Sequence, residues 1–208
     1  MFKYENTLIL FGRSPFINEI KEYIPQLCNK YHTMGCNYFV NSFPMVEYVI
    51  FYDDLVPNVQ PHNTVITNIQ YFEDENFKSY KLLHEHKKTD LYIINKESDF
   101  YSINPNMLNF CIHTPSMALN WAWQKGFSNV ILAGIDLTLT NNIHFDKDIT
   151  PDRDGHDFNI KAISKARRHL EEITPIYLNV YQLNPENDIN IPKIGIKELL
   201  CNAALKKY

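Results

Sequence analysis

The chain has 208 residues, 45% of them hydrophobic, enough for one domain with a full core and short for two. A formal net charge of -4 and a pI near 6.0 supply no global basic field, so nucleic acid is not an expected partner. Cys28, Cys36, Cys111 and Cys201 are widely spaced with no C-x-x-C pair, no secretion signal opens the chain, and no apolar run approaches the roughly 18 residues of a membrane span. These features predict free thiols, a cytoplasmic setting and a single domain over 1-208.

Strand-like runs alternate with helical or loop segments: Thr7 to Phe11, Tyr48 to Tyr52, Thr64 to Thr67, Leu91 to Ile94, Ser128 to Asp136 and Ile176 to Tyr181. Such alternation predicts an α/β fold, a Rossmann-like and mainly parallel sheet with helices on both faces. The run Val130-Ile131-Leu132-Ala133, continuously apolar and followed by Gly134-Ile135-Asp136, is read as the central strand. In open parallel sheets ligands lie beyond the strand carboxyl ends, which makes Gly12, Asp53, Asn68, Asp136 and Asn184 the first candidate site residues, with Gly134 suited to close approach of backbone to a ligand. The competing reading is that Gly, Asn and Asp simply turn the chain, and for Asn95 that reading is preferred.

In chain order, Gly12-Arg13-Ser14-Pro15 leads into a helical pattern at Ile17, Ile20, Tyr23 and Ile24, where a glycine turn could cradle phosphate. Between Met34 and Pro44 there is no clear period, and Asn37 suits a base or ribose contact as well as a turn. Phe72 to Lys88 is charged and helical in pattern; on a helix His84 and His86 diverge, so no metal site is expected there. Thr114 is placed to cap a helix running to Lys125, with Pro115 at its first helical position and Gly126 past its end. The aperiodic polar stretch at 137-156 is read as a lid, because it leaves the carboxyl end of the presumed central strand. It ends at Gly155-His156, before a helix with Ile160, Ile163, Ala166 or Arg167, Leu170 and Ile173 on its apolar face. Lys161, Lys165, Arg167 and Arg168 form a basic stripe on that helix, read as solvated surface. The tail from Ile196 to Tyr208 is read as an amphipathic helix, either packed on the core or touching a membrane surface.

With these residues placed, the chain resembles the bacterial sialyltransferases of glycosyltransferase family 42, collinearly from about residue 7 to 187. Gly12-Arg13-Ser14-Pro15 is similar to that family's Gly-Asn-Gly-Pro loop, Cys36-Asn37-x-Phe39 to Cys-Asn-x-Phe, and Phe51-Tyr52-Asp53 to Phe-Tyr-Asn. Thr67-Asn68 resembles Ser-Asn, the segment from Ile112 to Gly126 resembles the Ile-Thr-Ser-Gly helix, and Ala133 to Asp136 resembles Ser-Gly-Ile-Asp. Gly155-His156 followed by Ile160-Lys161-Ala162 is similar to Gly-His and Asp-Ile-Lys-Ala.

The resemblance implies transfer of a sugar from a cytidine-monophosphate (CMP) donor to a glycan or lipid-linked acceptor, with His156 as general base and without metal or resident cofactor. Asn37, Asp53, Thr114 and Gly134 would hold the nucleotide. The family's two lid tyrosines fall at Thr138 and Ile143, and its sugar-site arginine falls at Cys111. Thr138, His144 and His113 are candidate replacements for the phosphate donors. A role in lipopolysaccharide or capsule synthesis at the inner face of the membrane is an expectation on the same footing, and peripheral membrane contact and oligomer formation stay open. Two other readings remain: a pyrophosphokinase-like or flagellin-modifying enzyme of related fold, and a nucleotide-binding relative without turnover.

Overall fold

A computed structural model of the chain describes residues 6–96, 98–111, 113–137 and 155–201, with backbone only at 155–160. Its strands are β1 (Thr7–Phe11), β2 (His32–Cys36), β3 (Tyr48–Ile50), β4 (Thr64–Asn68), β5 (Thr89–Asn95), β6 (Met107–Asn109), β7 (Asn129–Ala133) and β8 (Asn179–Gln182). They form one sheet in the order β6-β5-β4-β3-β2-β1-β7-β8, and each neighbouring pair is parallel. The helices are α1 (Ile17–Ile20), α2 (Ile24–Lys30), α3 (Phe39–Ser42), α4 (Gln70–Glu73), α5 (Tyr80–Glu85), α6 (Thr114–Gln124), α7 (Gly155–Arg168) and α8 (Ile196–Cys201).

Alternation along the strands divides the core into two layers. Leu8, Leu10, Ile50, Ile66, Val130 and Leu132 pack with Met117, Leu119, Trp121 and Ala122 of α6 on one face. Ile9, Phe11, Val49, Val65 and Ile131 pack with Ile17, Ile24, Leu27, Leu83 and Leu199 on the other. Both faces of the inner strands are thus covered, which is why those segments read as unbroken apolar runs. The expected Rossmann-like architecture is the one observed.

Several expectations need correction. The strand at Asn129–Ala133 lies second from an edge, not at the centre, but it borders the point where the strand order reverses between β1 and β7. β2 and β6 had no sequence pattern: β2 is His-Thr-Met-Gly-Cys, and β6 has three residues. Residues 72–88 hold no continuous helix; α4 and α5 are separated by a turn, and Asp54 accepts hydrogen bonds from the Lys78 and Ser79 amides at 2.9 Å each. The last strand starts at Asn179, because Thr174–Ile176 forms a 3-10 turn after a π turn at His169–Ile173.

The start of the amphipathic tail packs on the core. Leu199 is buried, and its carbonyl accepts from Lys30 Nζ at 2.7 Å and from the Tyr31 hydroxyl at 2.8 Å. The basic stripe is largely paired: Lys165 with Asp99 at 2.8 Å, Arg167 with Asp188 at 2.9 Å and Arg168 with Glu172 at 3.2 Å. No helix among the described residues is long and apolar enough to cross a membrane.

Candidate functional site

Because all strands run parallel, their carboxyl ends share one edge, and most of the residues singled out from the sequence lie along it. Two clusters form there. The first joins β1 to β7 at the reversal of strand order. The Gly12 amide donates to the Ala133 carbonyl at 2.8 Å and the Ser14 amide to the Gly134 carbonyl at 3.0 Å. A Cβ on Gly12 would stand 2.2 Å from the Gly134 oxygen, and one on Gly134, where φ is +70°, would strike Ile17.

The two glycines therefore allow two backbone turns to meet. That corrects the idea that Gly12 and Ser14 cradle a phosphate, since both amides are already spent, and Ser14 Oγ accepts from the Phe16 amide at 3.3 Å. Asp136 is half-buried and accepts from Asn187 Nδ2 at 3.0 Å, which fixes the chain as it leaves the sheet.

The second cluster joins the end of β2 to the start of α6. Asn37 sits in the left-handed region at φ 53°. Its amide is held by the Ile50 carbonyl at 2.8 Å, and its Oδ1 accepts from the Thr114 hydroxyl at 3.4 Å. The helix cap is His113 in place of the expected Thr114: His113 Nδ1 accepts the Ser116 amide at 3.0 Å. That bond fixes the tautomer, because an accepting Nδ1 leaves the proton on Nε2. The Nε2–H is shut off from solvent and has no partner among the described residues.

Burial pushes the His113 imidazole down to about 4, so it is neutral at pH 7. Behind it lies His169, ring centroids 6.5 Å apart, also pushed down to about 4 by burial. His169 and the Tyr101 hydroxyl meet at Thr174 Oγ1, at 3.4 Å and 3.1 Å.

The remaining candidates are more dispersed. Asn68 makes a local turn, accepting the Gln70 amide at 3.2 Å, and so has a structural use. Asp53 is exposed beyond β3. Cys111 is buried and its thiol is pushed up to about 12, first by burial and then by Asp99, which makes it a poor nucleophile. The site of the family's arginine thus holds no cation, although the Lys165–Asp99 pair lies against this thiol. Thr138, Ile143 and His144 lie outside the described residues. So does the side chain of His156, whose backbone is the second residue of α7. His84 stacks on Phe72 at 4.0 Å and His86 Nε2 meets the Asn63 carbonyl at 2.9 Å, so both serve the fold.

Sequence reasoning overlooked an aromatic platform on the same edge. Tyr52, just after β3, stacks on Phe110, just after β6, at 3.9 Å and 24°. The Lys96 ammonium lies 4.9 Å from the Tyr52 ring centre, and the Arg13 guanidinium lies 5.7 Å from that of Tyr38. The sequence carried little signal for it: Tyr52 closes the strand-like run from Tyr48, and Phe110 follows the polar Asn109.

No protein-family model and no curated protein matches the sequence. Among solved structures the fold is similar to that of the MAf glycosyltransferase from Magnetospirillum magneticum AMB-1, with a TM-score of 0.62 and 13% identity over 92% of this chain. What the two share is the fold. The chain spans about a third, 34%, of that protein's length.

Proposed function

We propose that the chain is a glycosyltransferase module that binds a CMP-sugar at the carboxyl edge of the sheet and transfers the sugar to a glycan acceptor. The observation that carries this reading is the meeting of Asn37, Thr114 and His113 where the end of β2 faces the start of α6. These are positions at which the family 42 resemblance expects the nucleotide, and the likeness in fold to a glycosyltransferase supports the same class.

In this reading the Nδ2 group of Asn37 and the Thr114 hydroxyl hold the nucleotide, while Tyr52 and Phe110 offer a flat surface to its base. Pro115 has no N–H and the Ser116 amide is used by the cap, so the start of α6 has few free amides to offer a phosphate. The His113 Nε2–H, neutral and buried, would replace them as a donor whose strength rises in a site closed to water. The acceptor oxygen bonds to the anomeric carbon as the bond from that carbon to the phosphate oxygen breaks. CMP leaves, and the acceptor's proton passes to His156. A positioned base of this kind contributes roughly 10² to 10⁴ in rate. No step in this scheme draws on a metal.

Thermal denaturation with CMP, CMP-sialic acid, uridine diphosphate and ATP with magnesium tests the reading. A ligand at about 100 times its dissociation constant adds about 2.7 kcal/mol, or roughly 5 to 11 °C for a chain of this size. A shift with cytidine nucleotides alone is the expected result. A shift with ATP and magnesium alone would transfer the assignment to a pyrophosphokinase-like enzyme. His156→Ala is expected to keep CMP binding and to lose at least about tenfold in transfer.

A further inference from the structure

A cavity of about 580 Å³ opens at the amino-terminal edge of the sheet, the opposite end from the site above. Its walls are the first residues of successive strands, among them His32, Tyr48 and Thr64, together with Asp90, and the end of α6 with Trp121 and Lys125 closes it. That volume lies within the range of small-molecule sites.

The lining combines flat faces with paired charges. Tyr48 lies 4.7 Å from Trp121 and His32 lies 5.4 Å from Phe127, centre to centre. His32 Nδ1 meets Glu47 at 2.8 Å, and Lys125 Nζ meets Asp90 at 3.1 Å. Each carboxylate therefore already has a basic partner, and the fields of both reach the Tyr48 hydroxyl. Trp121 is only 2% exposed, and its indole N–H lies toward the Tyr92 hydroxyl, which the Lys125 ammonium also approaches.

We infer that this cavity binds an uncharged, planar nitrogen heterocycle, a nucleobase or its nucleoside. Aromatic walls suit a flat ring on its faces. The edges of a nucleobase present both acceptors, for the Lys125 ammonium, and donors, for Asp90. A ligand with a net charge gains little where both carboxylates are already paired. A phosphate is disfavoured further, because it would have to lie near two carboxylates. The site is separate from the proposed donor site and does not depend on that reading.

The chain has two tryptophans, so Trp123→Phe leaves Trp121 as the single fluorophore. Adenine, adenosine, adenosine monophosphate and the matching cytosine series are titrated while Trp121 emission is followed. We expect a saturable change with a base or nucleoside at a dissociation constant of about 1 mM or tighter, and at least about tenfold weaker binding of the matching monophosphate. Thr64→Phe fills the cavity from the start of β4, and Asp90→Asn removes one carboxylate. Each is expected to weaken binding at least about fivefold while far-UV circular dichroism stays unchanged. If Thr64→Phe does not fold, Asp90→Asn decides alone. The inference is overturned if no base or nucleoside changes the emission up to about 5 mM, if both substitutions leave the affinity unchanged, or if the monophosphate binds as tightly as the nucleoside.

Discussion

Acid is expected to destabilise this fold through two histidines well before its carboxylates are neutralised. His113 and His169 lie with ring centroids 6.5 Å apart, and burial pushes each from 6.5 down to about 4. The unfolded chain takes up a proton on each as the pH falls below about 6.5, whereas the folded chain does not until about 4. The unfolded state therefore binds more protons in that window, and stability present at pH 7 is lost as the pH falls through it. At about 1.4 kcal/mol for each tenfold change in proton affinity, each histidine costs about 2.5 kcal/mol between pH 7.5 and 4.5. Together they would remove a large share of the 5 to 15 kcal/mol typical of a domain.

Urea denaturation at half-unit steps of pH measures this directly, with His113→Asn, His169→Gln and the double variant beside the unsubstituted chain. Asparagine at 113 can still accept the Ser116 amide and keep the cap. Each single variant should lose about half of the slope between pH 6.5 and 4.5, and the double variant nearly all of it. An unchanged slope in the double variant would refute the reasoning and put the acid sensitivity on carboxylates such as Asp99, which Lys165 holds below the usual range.

Gly12→Ala forces a methyl group against the Gly134 carbonyl and should cost at least about 2 kcal/mol in chemical denaturation. Thr114→Val removes the hydroxyl that meets Asn37; calorimetry should show CMP binding weakened about five- to tenfold with little change in melting temperature. Ile131→Ala opens a void in a fully buried strand position and should cost about 2 to 5 kcal/mol, read from the urea midpoint. His113→Asn retains the cap but not the Nε2–H, so it should slow transfer more than it weakens binding of CMP itself.

The fold was legible where burial on two faces left an unbroken apolar run. Thr7 to Phe11 was read with its observed bounds because β1 lies between β2 and β7 and is covered on both sides. β2 escaped because its fitness for the core lies in contacts rather than composition. Gly35 has no side chain so that the Phe39 ring can lie against it, and that ring stacks on Phe11 at 4.8 Å. A tertiary fit of this kind leaves no period in the sequence. The same holds for residues 72–88, where helical spacing is present but Asp54 ties the chain into a turn.

Most described residues singled out from the sequence share one edge of the sheet, while their contacts there were less legible. Parallel strands put every carboxyl end on one edge, so marking Gly12, Gly134 and Asp136 required only the strand pattern, whereas Asn37 came from an aperiodic stretch and the family resemblance. What each residue does there depends on which partner reaches it. Gly12 and Gly134, read as places for a ligand, serve each other; Thr114, read as a cap, leaves that task to His113 and turns its hydroxyl to Asn37. The displacement has a chemical consequence. A histidine cap spends Nδ1 on the helix and so presents Nε2–H, which a threonine cap has no means to do. In the proposed reading, His113 supplies a donor in place of the tyrosines that the family 42 resemblance leads one to expect. In that reading a site without those tyrosines keeps a phosphate donor, and the binding and transfer measurements on His113→Asn separate such a site from one that only holds its ligand.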